Sequence, residues 1–141
     1  MVDGDKEGTT GKPYAHSKEG CPPAEWQPLE DHLRQVAEMA AGFATSFQSA
    51  EWAENAGWLH DLGKADSIFQ GYLRRENNLD DAGYDHGRVN HSSAGAACAE
   101  DLIQQAGRIL AYLVAGHHAG LPDWYPDQTG IAALKIRLGE G

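Results

Sequence analysis

Four apolar stripes at helical spacing, far apart along the chain, each begin, end or are flanked by a histidine, and that recurrence restricts the fold more than any other feature. Leu29, Leu33, Val36, Ala40, Phe43 and Phe47 follow at alternating steps of four and three, one face of a helix, and His32 lies on its flank. Pro28 opens that helix where a missing N–H costs nothing. A second helix is expected from about Ala50 to Leu62, with Trp52, Ala56, Leu59 and Gly63 on one side and His60 four after Ala56; Gly63 suits a left-handed terminator. SIFQGYL forms a short third helix capped by Asp66. HSSAGAACAEDLIQQ, from His91, is the fourth, with Ala94, Gly95, Ala97 and Cys98 small enough to admit another backbone. In the fifth, Arg108 to His118, Leu110, Leu113, Val114 and His117 share a face that His118 extends; GIAALKIRLGEG starts a last helix with Ile131, Leu134 and Leu138 in register. Nothing alternates with period two for long and no repeat is present, so the fold class is all-α, a helical bundle.

A single histidine on an apolar face is more often a hydrogen-bonded core residue than a ligand. Five of them, His32, His60, His91, His117 and His118, with Asp61 beside His60, would line one polar cavity, the geometry in which bundles hold metals. The donors are nitrogen and oxygen without thiolate, which favours Mn, Fe, Co, Ni or catalytic Zn over a structural zinc finger. Six donors exceed what one open catalytic ion needs, so two ions sharing Asp61 is the economical arrangement. Neighbours on a helix point about 100° apart, so His60 and Asp61 can address two centres, and His117 and His118 need not bind the same ion. Two ions roughly 3.5–4 Å apart suit phosphoester hydrolysis. Lys64, three after Asp61, can reach a phosphate, pair with Asp61, or be a surface lysine favoured by the helix dipole. His16, in YAHS, packs or contacts substrate at the cavity mouth, and His86, in YDHGR, reads as a solvated loop side chain.

Organisation and partners follow from length and charge. The 141 residues suit one domain, with residues 1–13 a flexible tail, 14–141 the metal-binding domain, and Arg74 to Asn90 a long polar surface loop. A net charge of −10, from 21 acidic and 11 basic residues, argues against wrapping duplex DNA by phosphate neutralisation, but not against a nucleic-acid enzyme whose strand is delivered by a partner. Cys21 and Cys98 stand alone, which suggests no disulfide framework, and no segment reaches the roughly 18 apolar residues of a membrane helix. A cytoplasmic protein with no membrane partner is the expectation.

YAHSK at 14–18, LEDHL at 29–33, HDLGKADSIFQGYL at 60–73, NHSSAGA at 90–96 and AGHHAGLPDW at 115–124 resemble the HD superfamily of metal-dependent phosphohydrolases. More narrowly, they resemble the HD nuclease domain of CRISPR-associated type I interference nucleases. The resemblance implies an endonuclease that cuts single-stranded DNA with divalent transition metals, in antiviral defence, beside a DExH-type helicase and the CRISPR surveillance complex. It implies that His32, His60 and Asp61 hold one ion and His91, His117 and His118 surround the other, with Asp61 between them and Lys64 positioning phosphate. The family's pattern ends with a further aspartate on a later helix. Asp123 and Asp127 come too soon for it and the sequence stops at Gly141, so the C-terminal part of the domain is expected to be missing and the first ion to bind weakly. Two other functions stay open: an HD-type nucleotide phosphohydrolase, and a non-catalytic module that metal stabilises.

Overall fold

Pro28 sets the entry to the bundle. Its backbone is extended (φ −59°, ψ 141°), which ends a short strand and places the proline at the cap of the first helix rather than inside it. The computed structural model describes residues 11–79, 89–103, 106–126 and 132–139. Among these, β1 (Tyr14–His16) pairs antiparallel with β2 (Gln27–Pro28), and six α-helices follow: α1 (Leu29–Ala44), α2 (Ala50–Leu59), α3 (Ser67–Glu76), α4 (Ser92–Ile103), α5 (Gly107–Gly116) and α6 (Leu134–Gly139). The all-α class holds. The ribbon was not anticipated, because strands of three and two residues are too short to show a period.

α1 packs along α2, and α4 along α5. The main core, Ala96, Ala99, Leu110, Ala111, Val114 and Leu134, joins α4, α5 and α6. Ala15, Leu29 and Leu33 seal the ribbon onto α1, and Trp26, just before β2, packs with Phe69 and Leu73 of α3. Arg137 ties α6 across the others, donating to the Ala115 carbonyl at 3.0 Å and to the hydroxyls of Ser92 at 2.6 Å and Ser93 at 3.2 Å. Asp66 caps α3 as expected, its carboxylate accepting from the Ile68 N–H at 2.7 Å. Residues 1–10 of the expected tail, and 80–88 of the expected loop with His86, lie outside the described residues. No described helix is long and apolar enough to cross a membrane.

The α1 stripe is rotated from its expected position. Leu29, Leu33, Ala37 and Ala44 are buried, whereas Phe43 and Phe47 are 74% and 66% exposed. Periodicity says which residues share a face; it does not say which neighbour covers that face. Small Ala37 faces α2 because the backbones there come close, and the phenylalanines are left outside. Val36 and Ala40 line an apolar groove of about 500 Å³ that continues over Trp52 and Leu113.

Two glycines admit the close approaches that build the site. α2 ends at Leu59, earlier than its apolar pattern, and a 3₁₀ turn spans Leu62–Ala65. Gly63, in that turn, is not left-handed. A Cβ there would overlap the carbonyl of His91, so glycine is needed for space. A Cβ on Gly95 would likewise run into the Leu59 carbonyl, whereas one on Gly42, on exposed α1, would meet nothing within 4 Å. Gly95→Ala is therefore expected to lower stability by about 1–3 kcal/mol, and Gly42→Ala to raise it by about 0.5–1 kcal/mol, both read from urea unfolding midpoints.

Candidate metal centre

The centre is assembled where α2 and α5 run out. His60 and His117 each follow the last turn of a helix, and each turns its Nδ1–H back onto the carbonyl three residues earlier, Gly57 at 2.6 Å and Val114 at 2.6 Å. That hydrogen bond fixes the tautomer: Nδ1 carries the proton, and Nε2 presents a lone pair. Both lone pairs point at one carboxylate. Asp61, only 4% exposed, sits just beyond α2.

Its two oxygens divide their neighbours. Oδ2 lies 2.9 Å from Lys64 Nζ, 3.0 Å from His32 Nε2 and 3.2 Å from His60 Nε2. Oδ1 lies 3.2 Å from His91 Nε2 and 3.4 Å from His117 Nε2. On the first side the Nε2 atoms of His32 and His60 are 3.1 Å apart; on the second those of His91 and His118 are 2.9 Å apart. The five expected histidine ligands thus meet around Asp61. His117 and His118 do not diverge: their ring centroids are 4.0 Å apart, and both belong to the group formed with Asp61 and His91.

Protonation shows how tightly the groups interact. Burial pushes the Asp61 carboxyl up, but His117, His60, His91 and Lys64 beside it outweigh burial and hold it far below the usual carboxylate range. The same carboxylate pushes His117 up. Burial pushes His32 and His118 down, toward the neutral imidazole that a metal requires.

A cation fits this donor set. Asp61 Oδ1 is buried with no hydrogen-bond partner, and so is His91 Nδ1. At Oδ1, a neutral His117 would set a lone pair against a lone pair of the carboxylate, an arrangement that repels unless positive charge lies between. A proton can relieve one such contact; a divalent ion relieves several at once. Two groups have ligand atoms all within 4.8 Å of one another: Asp61, His91, His117 and His118, and His16, His32 and Asp61. His60, by its distances to His32 and Asp61 Oδ2, adjoins the second.

Lys64 is 5% exposed, and its ammonium is taken up by Asp61 and by the Ala15 carbonyl at 3.2 Å. Phe69 packs beneath it at 5.5 Å and meets the His91 ring edge-on at 5.4 Å. The residue that sequence reasoning missed is Gln70. Its amide accepts from the Tyr14 N–H at 3.0 Å and donates to the carbonyls of Tyr14 at 2.8 Å and Lys64 at 2.7 Å. Its signal was the Phe-Gln pair at a set distance behind HDLGK. Asp123 is exposed and outside both groups, and Asp127 lies outside the described residues.

The family described as Cas3, HD domain, matches residues 11–134. No curated protein matches the chain.

If the lone pairs converge on an ion, Mn²⁺ at a hundredfold excess over its dissociation constant should stabilise the protein by about 2.7 kcal/mol. The gain would appear as a higher melting temperature that a chelator reverses. Asp61→Asn, which removes the shared charge, should abolish the metal-dependent increment.

Proposed function

The chain belongs to the family of Cas3 HD domains, and from that premise we propose that it is a metal-dependent nuclease domain that hydrolyses phosphodiester bonds of single-stranded DNA in CRISPR interference. The observation that carries this reading is the division of the Asp61 carboxylate, one oxygen toward His32 and His60 and the other toward His91 and His117. That is the donor arrangement a bridged pair of ions needs.

His32, His60 and Asp61 would hold one ion, and Asp61, His91, His117 and His118 the other. Divalent ions bound there supply Lewis acidity and lower the pKa of water, the chemistry that phosphodiester hydrolysis requires. The chain's own residues do the rest. Carbonyls of Gly57 and Val114 hold the His60 and His117 rings in the ligating tautomer, so neither has to reorganise when an ion binds. Lys64 offsets the Asp61 charge in the buried site and fixes the orientation of its Oδ2. Because Lys64 is covered, it acts on substrate through Asp61 and not by direct contact with phosphate. His117 and His118 are exposed, which leaves an open side for a DNA strand.

A net charge of −10 repels free DNA away from the centre. Delivery of the strand by a helicase acting with a surveillance complex suits that surface, and divalent transition ions, Mn, Fe, Co, Ni or Zn, suit the imidazole-rich donors.

The test is cleavage of closed circular single-stranded DNA with Mn²⁺ or Ni²⁺. Linearisation is expected, and His60→Ala and Asp61→Ala should reduce it to background while the helical circular-dichroism spectrum persists. Turnover of a mononucleotide with the circle left intact would point to a nucleotide phosphohydrolase. Metal-dependent melting without hydrolysis of either substrate would point to a binding module. Lys64→Met should keep the same cleavage products while lowering the rate and the metal affinity about 10- to 100-fold, the usual cost of losing a group that orients a ligand.

A further inference from the structure

His16 stands against the His32 side of the centre. Its ring meets the His32 ring edge-on at a centroid distance of 4.9 Å, and one of its nitrogens lies within 4.8 Å of the ligand atoms of both His32 and Asp61. A solvent-exposed histidine beside a cavity would ordinarily carry no weight. The backbone beneath this one is held by unusual means. β1 is three residues long, yet Gln70 takes up both the N–H and the carbonyl of Tyr14, and Lys64 binds the carbonyl of Ala15. Ala15 itself is 1% exposed, packed against Leu29 and Leu33.

Lys64 therefore touches two things at once, the Asp61 carboxylate and the residue next to His16. One ammonium sets the position of the strand relative to the carboxylate. A substrate-contacting side chain at the cavity mouth needs no such coupling to a buried ligand. A ligand does, because donor atoms must be placed to within a few tenths of an ångström.

We propose that His16 is a metal ligand: it supplies the fourth donor on the side of the centre formed by His32, His60 and the Oδ2 atom of Asp61. This rests on the dinuclear reading above and goes beyond it in naming a donor and a selectivity. Three imidazoles and one carboxylate oxygen make a four-donor set among the described residues. Such a set favours borderline transition ions such as Ni²⁺ or Zn²⁺ over Mg²⁺, which demands oxygen ligands.

Equilibrium dialysis of the full chain against Ni²⁺ alone, with bound metal counted, tests it. Wild type is expected to bind two ions per chain. His16→Ala should weaken one of the two by tenfold or more and leave the other unchanged, and His16→Gln, which keeps the bulk of the ring without matching its donor, should do the same. His118→Ala should weaken the other ion instead. In the ¹H–¹⁵N imidazole spectrum of Zn²⁺-saturated protein, a His16 ring nitrogen should move to the metal-bound position along with those of His32 and His60. Two ions bound at wild-type affinity by both His16 variants, or a His16 resonance indifferent to Zn²⁺, would overturn the assignment and leave the dinuclear reading intact. Fewer than two ions on wild type would overturn both.

Discussion

Everything near the centre follows from placing one ionised carboxylate where water does not reach it. Burying a lone carboxylate costs several kcal/mol, so the protein must surround Asp61 with compensating groups or protonate it. His117, His60, His91 and Lys64 are the compensation that the chain contains. The Lys64 ammonium, itself buried, satisfies one oxygen and leaves the other without a hydrogen bond. The unmet oxygen gives the polypeptide a standing requirement for positive charge at one point. His91 and His117 turn their Nε2 atoms to that oxygen, and the Nδ1–H of His117 is already spent on the Val114 carbonyl.

Seen this way, HDLGKADSIFQ is a single mechanical device. His60 and Asp61 supply donors, and Gly63 lets the His91 backbone pass close enough to bring its ring to Oδ1. Lys64 and Gln70 then bind the strand that precedes α1, so a segment nearly fifty residues earlier in the chain, Tyr14–His16, is registered against the same carboxylate. Phe69 fills the space beneath Lys64 and against His91.

Much of this was legible in the sequence, for a definable reason. Histidines at the ends of apolar stripes are brought together when the stripes pack, so the convergence of His32, His60, His91, His117 and His118 on Asp61 and the positions of the helices follow from spacing, and the cap at Asp66 from its residue type. What spacing cannot convey is which oxygen meets which ring. Adjacency of His60 and Asp61 suggested only that one helix end can address two centres. In the structure His60 stays with Oδ2, and the division is made by the carboxylate itself, because Asp61 has left the helix and spans both groups. Likewise, the rotated face of α1 was hidden because Ala37 carries no strong hydropathic signal, while Phe43 and Phe47 carry a strong one and lie outside. Gln70 was overlooked because an amide six residues from Lys64 has no periodic reason to matter. Its partners are backbone groups of a strand too short to detect.

The choice of imidazole over carboxylate has an electrostatic consequence for the proposed reaction. Had the donors been mostly aspartates, bound cations would be neutralised by their own ligands and would present little charge to a phosphodiester. Here one carboxylate, already paired with Lys64, stands among imidazole rings, which carry no charge when they ligate a metal. Two divalent ions held by such a set would keep most of their charge, and the low-dielectric walls around Asp61 would let that charge act at short range. The molecule as a whole, at −10, repels an anionic strand. Attraction at one point of a molecule with net negative charge selects for a strand brought to that point and against random adsorption. A nuclease domain that must not cut DNA it merely encounters is served by that distribution of charge.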